Sequence, residues 1–141
     1  MFVTVWLGIL ELSTGRLTCT NAGHEYPFIR GGDGVFRVFQ DKHGLVVGAV
    51  PKMVYKDYEL QLRPGDAVFV YTDGVTEAAN ASREMYGMER LEEALNRLAG
   101  ESPQGILEGV KADVDAFADG AVQSDDVTML CLEYRGGSQA E

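Results

Sequence analysis

Basic residues are scarce: 12 Lys and Arg stand against 22 Asp and Glu, a formal net charge of −10 over 141 residues. With the few cations unclustered, there is no basic stripe for a nucleic-acid backbone, and an anionic bilayer would repel the chain. If the ligand is a phosphorylated group, something must reverse the local field, and a bound cation does so most directly. Long hydrophobic runs are missing as well; none reaches the roughly 18 residues that a membrane span requires. Cysteine is limited to Cys19 and Cys131. They have no metal-like pairing and no secretory signal before them, which describes two reduced, mostly buried thiols in a cytosolic protein. Patterns of the G-x-S-x-G and P-loop type are absent, Cys19 has no neighbouring base, and IRGGDG lacks the following helix that a phosphate cradle needs. Covalent serine or thiol catalysis is therefore disfavoured.

What is present is a globular profile of 45% hydrophobic residues with 17 Gly and only four Pro, enough for one core and many tight turns. MFVTVWLGILEL is rich in β-branched and aromatic residues and reads as a first strand with apolar residues on both faces. STGRL turns it into RLTCTNA as a hairpin, and YPFIRGGDGVFRVF reads as two short strands around a glycine-rich turn, in a meander-like order. In YKDYELQL, Tyr58, Leu60 and Leu62 alternate with Glu59, Gln61 and Arg63. RPGD is a turn, and AVFVY returns as a buried strand.

The period then changes. Met88, Leu91, Leu95 and Leu98 form one apolar helical stripe, with Gly100 as the expected stop. Ser102 and Pro103 offer an N-cap and first-turn residue for a second helix, whose stripe is read as Leu107, Val110, Val114 and Phe117, ending near Gly120. A last strand spans residues 127–134. Antiparallel strands first and helices late indicate an α+β domain with helices on one sheet face.

Two acidic features stand at strand ends. Asp73, in YTDGVTEAAN, directly follows AVFVY, and Gly74 leaves its surroundings open for a ligand or ordered water; the same dipeptide also serves as a plain turn. Asp125 and Asp126 directly precede the last strand, and their mutual repulsion calls for a cation or hydrogen bonds. If the last strand lies beside AVFVY, Asp73 and one of the pair converge as oxygen ligands suited to Mg²⁺ or Mn²⁺. His24, in NAGHEYPF, could act as an acid, a ligand or a phosphate contact, or could simply pin its loop; His43 is read as a turn residue.

Taken in order, MFVTVWLGILELSTGRLTCTNAGHEYPFI, GLVVGAV, LRPGDAVFVYTDGVTEAAN, YGMERL and SDDVTMLCLEY resemble the C-terminal part of a metal-dependent serine/threonine phosphatase domain. The family is the protein phosphatase 2C (PPM) superfamily, in its bacterial sporulation and sigma-factor-regulator branch. The resemblance covers residues 1–135, with 136–141 left as a flexible tail. It implies a partial four-layer α/β/β/α sandwich with antiparallel sheets and two main helices. It also implies Mn²⁺ or Mg²⁺, two ions in the complete domain, held in part by Asp73 and Asp125. Asp126 falls at a loop-supporting position, Glu77 where a switch-like short helix organises the site without ligating, and His24 in a site-proximal loop.

The implied activity is hydrolysis of phosphoserine or phosphothreonine on a small regulatory protein, anti-anti-sigma-like, by direct attack of metal-activated water. An upstream acidic motif of the family has no counterpart here. The expectation is therefore of an N-terminally shortened chain with an incomplete metal site, impaired alone and prone to self-association through exposed apolar surface. The alternative is a non-catalytic signalling module that keeps the scaffold and binds a regulatory protein. Another metal-dependent phosphoesterase acting on small substrates is the third reading.

Overall fold

The computed structural model describes residues 1–123 and 125–137; of the expected tail, 138–141 lie outside the described residues. β1 (Val5–Glu11) and β2 (Arg16–Ala22) form the expected hairpin, in register from Val5 opposite Ala22 to Glu11 opposite Arg16. The chain then leaves this sheet, so the meander reading fails after two strands. β3 (Phe28–Arg30) and β4 (Phe36–Val38) build a second sheet, completed by β7 (Ala67–Tyr71) and β8 (Met129–Glu133) in the order β4-β3-β7-β8. β5 (His43–Gly44) and β6 (Asp57–Gln61) return to the first sheet, both pairing with β2.

β5 corrects two expectations. It runs parallel to β2, so the first sheet is mixed rather than purely antiparallel. It also places His43 opposite Asn21 in a short strand instead of a turn.

Alternation along the strands makes the layers. Phe69 and Tyr71 face the helices, in a core with Phe28, Phe36, Leu91, Leu95, Ile106 and Val110. Val68 and Val70 face the first sheet and pack with Leu17, Cys19, Leu60, Trp6 and Leu132. The result is helices on sheet on sheet. Between β6 and β7, RPGD makes the expected turn: Gly65 takes φ +97°, and the Asp66 N–H donates to the Arg63 carbonyl at 2.9 Å. The outward side of β1 carries Val5, Leu7 and Ile9 exposed to solvent. No helix among the described residues is long and apolar enough to cross a membrane.

A one-turn helix, α1 (Asp73–Thr76), follows β7, and the two main helices are α2 (Gly87–Arg97) and α3 (Pro103–Ala118). α2 ends before Gly100, with Leu98 as its cap. α3 begins as expected, the Ser102 hydroxyl accepting from the Gly105 N–H at 3.1 Å with Pro103 following. Its fully inward residues are Ile106, Val110, Val114 and Ala118, which shifts the expected stripe. Leu107 and Phe117 sit at the margins of the core, where Phe117 meets Tyr86 edge-on at 5.6 Å and lies under the Arg90 guanidinium. A strict i+4 ridge is fully buried, and the bulkier flanking residues are only partly covered, with Phe117 turned toward Tyr86 and Arg90.

Leu91 has no solvent exposure. Leu91→Ala is expected to lose about 2–5 kcal/mol of unfolding free energy, read by urea denaturation. A loss below about 1 kcal/mol would contradict this packing, since surface substitutions fall in that range.

Candidate functional site

β7 and β8 run side by side, with Tyr71 opposite Met129, so the segments that follow β7 and precede β8 meet at one end of the second sheet. Thr72 ties them together. Its N–H donates to the Thr128 carbonyl at 3.0 Å, and its hydroxyl donates to the Asp126 carbonyl at 3.2 Å and accepts from the Thr128 N–H at 3.1 Å. Asp73 then opens α1, and the Glu77 N–H closes that turn on the Asp73 carbonyl at 2.8 Å.

A cleft of about 340 Å³ opens here, lined by Thr72, Asp73, Asp125, Asp126 and Thr128 from the second sheet and by Thr4, Gly23, His24 and Glu25 from the first. The condition set by the sequence is met: Asp73 and Asp125 share one pocket. Asp126 contributes mainly through its backbone, its N–H donating to Asp125 Oδ1 at 2.9 Å. Gly74 serves close packing rather than open space, since a Cβ there would overlap the Asp126 carbonyl and lie 2.7 Å from its carbon. His24 lines the cleft with its Nδ1 3.2 Å from the Thr4 hydroxyl. Glu77 is exposed outside the lining, close enough for its charge to act on Glu25.

Glu25 is the pocket carboxylate that the sequence reading missed. It has no strand-end or motif position, and only the fold brings the 23–25 loop to face the aspartates. Burial first, and then the charge of Asp73, push its carboxyl above the ordinary 4.5, with Glu77 adding and His24 and His43 opposing. Its ionised form therefore weakens the fold at neutral pH, and the penalty vanishes at pH values below 4.5, where the group is protonated folded and unfolded. In metal-free buffer, Glu25→Gln is expected to raise Tm at pH 7 and leave it unchanged near about pH 3.5. An unchanged Tm at pH 7 contradicts the repulsion.

Among the described residues, four carboxylates line this cleft and no lysine or arginine does. Oxygen donors without a compensating cation fit a hard divalent ion such as Mn²⁺ or Mg²⁺. Among the described residues, no three His, Cys, Asp or Glu side chains are gathered tightly enough to hold an ion by themselves. Asp73 and Asp125 line the cleft without belonging to such a group. The thiols stand apart from it: both are free, and burial raises Cys19 and Cys131 to about 11, which leaves them protonated and inert.

The sequence family described as Stage II sporulation protein E (SpoIIE) matches residues 1–135. The chain belongs to the SpoIIE family. Protein IcfG of Synechocystis is 35% identical over 135 residues, 96% of this chain and 21% of IcfG. Phosphoserine phosphatase RsbU of Bacillus subtilis is 33% identical over 78 residues, 55% of this chain and 23% of RsbU. The matched stretches thus cover less than a quarter of the length of either relative. In fold it is similar to the manganese-presoaked phosphatase domain of the cell fate determinant SpoIIE from Bacillus subtilis, with a TM-score of 0.73 at 17% identity, covering 98% of this chain and 59% of that one. The three layers described above are part of the PPM sandwich.

Proposed function

We propose that this chain forms part of a divalent-metal-dependent protein phosphatase acting on phosphoserine or phosphothreonine of a regulatory protein. The observation that carries the reading is the convergence of Asp73 and Asp125 in a cleft lined by acids and, among the described residues, by no lysine or arginine, in a chain of the SpoIIE family. A phosphoryl group cannot approach four carboxylates without a cation between them. Asp73 and Asp125 would hold the ion, Asp126 would support their loop, and His24 and Glu25 would face it from the other sheet. The chemistry an ion supplies there is neutralisation of phosphoryl charge and a lowered pKa for water. The relative named phosphoserine phosphatase RsbU supports the substrate class.

Two aspartates are fewer than a two-ion centre needs, so turnover by these 141 residues alone is expected to be weak. The test is hydrolysis of a phosphoserine peptide by the full-length protein with Mn²⁺ and with EDTA. Phosphate release that requires Mn²⁺ supports the reading. Tight binding of a regulatory protein with no release in either buffer favours a non-catalytic module.

A further inference from the structure

Among the described residues, Asp41 is the one buried acidic side chain in the first sheet's half of the core that the proposed chemistry leaves unused: the residue is 7% exposed and its side chain has no exposure at all. No lysine or arginine pairs with it among the described residues. It is held instead by three strands of one sheet. Asn21 of β2 donates its Nδ2 to both carboxylate oxygens at 3.1 Å, Tyr58 of β6 donates its hydroxyl, and His43 of β5 sets Nδ1 3.3 Å away. Trp6 of β1 in turn donates to the Tyr58 hydroxyl at 3.1 Å. Burying a carboxylate is unfavourable, and a purely structural anchor could have been apolar.

The opposite end of Asn21 shows what the carboxylate does. Its Oδ1 accepts from the His24 N–H at 2.8 Å, and its Nδ2 also reaches the Glu25 carbonyl at 3.4 Å. An ionised carboxylate only accepts hydrogen bonds, so Asp41 dictates which way the Asn21 amide faces. Nδ2 must point to Asp41, which leaves Oδ1 aimed at His24. A flipped amide would set a donor against the His24 N–H. Gly23, at φ +70° with the Val46 backbone N 2.9 Å from where a Cβ would stand, gives the loop its tight path.

We propose that Asp41 and Asn21 form a positioning pair that fixes the His24–Glu25 wall of the cleft against the aspartates of the other sheet. The claim rests on the cleft being a metal and phosphoryl site, as argued above. Neither residue touches the cleft's contents; both act through the 23–25 loop.

The test is amide NMR of the 141-residue chain, reading hydrogen exchange at His24 and Mn²⁺-induced broadening at His24, Glu25 and Gly74. Asn21→Asp sets two carboxylates face to face and is expected to speed His24 exchange at least ~10-fold. It should also reduce broadening at His24 and Glu25 while broadening at Gly74 persists. Adding Asp41→Asn moves the charge across the pair, lets residue 21 accept from both sides, and is expected to restore exchange to within about threefold. Amides of Phe69 and Leu95 in the other core layer report whether the fold is kept.

Unchanged His24 exchange in Asn21→Asp overturns the proposal, as does a double variant no better than the single one. If Asn21→Asp alone does not fold, the charge-preserving double variant decides: a protected His24 supports the pair, and an unprotected one overturns it. Absence of Mn²⁺ broadening at Gly74 in the unsubstituted chain overturns the metal reading, and with it the claim that the pair serves this site, whatever the exchange data give.

Discussion

Gly74→Ala is expected to destabilise the chain by about 1–3 kcal/mol, the range for forcing one extra methyl into a close-packed position, and to weaken Mn²⁺ binding together with stability. The added methyl would overlap the Asp126 carbonyl, 2.7 Å from its carbon, at the point where α1 lies against the segment leading into β8. Both partners are backbone, so neither rotates away. The relief available is to push that segment off α1, which also stretches the Thr72 hydroxyl bond to the Asp126 carbonyl. Asp73 stands on one side of this contact and Asp125 on the other, so separating the segments separates the two proposed ligands. Gly100→Ala is the control, with open space within 4 Å and no positive φ. Urea denaturation and Mn²⁺ titration of both variants check the prediction. A Gly74→Ala protein as stable and as metal-competent as Gly100→Ala would mean that this contact does not hold the pocket together.

Asp73→Asn and Asp125→Asn in the full-length protein are each expected to lower Mn²⁺-dependent turnover of a phosphoserine peptide by at least about 100-fold, since loss of an outer supporting partner alone reaches that figure. Asparagine keeps the shape and removes the charge. Both residues line the cleft, with Asp73 at the first turn of a helix and Asp125 exposed. Neither substitution leaves a buried group unpaired, so the fold is expected to survive. Asp126→Asn is expected to act far more weakly, because the Asp126 contacts that shape the loop are made by its carbonyl and N–H. Equal losses at Asp125 and Asp126 would mean that the loop's charge as a whole, not one ligand, supports turnover. Steady-state kinetics with circular dichroism on the same samples separates lost chemistry from lost fold.

Much of this was legible before any coordinates. The STGRL turn gave the β1–β2 hairpin, alternation gave β6, a continuous apolar run gave β7, and Ser102–Pro103 marked the start of α3, because each is a local signal with a local cause. The meeting of Asp73 with Asp125 was legible as a condition on one strand pairing, which β7 and β8 satisfy. The unreadable parts are long-range. β5 pairs through two residues, too short for any periodicity to register. Glu25 enters the cleft only because β2 belongs to one sheet and Asp73 follows a strand of the other. Asn21 and Asp41 are separated by a segment that visits the second sheet as β3 and β4 before returning, so nothing local links them. The α3 stripe was misplaced for a different reason: Leu107 and Phe117 are apolar, but they are only partly buried at the edge of the core.

The central claim is that Asp73 and Asp125 together hold a divalent cation. Calorimetric titration of Mn²⁺ into the chain, beside Asp73→Ala, Asp125→Ala and the distant Glu108→Ala on α3, tests it most directly. The account predicts one saturable binding event in the unsubstituted chain and in Glu108→Ala, lost in both aspartate variants. Binding that is equal in all four proteins would contradict it.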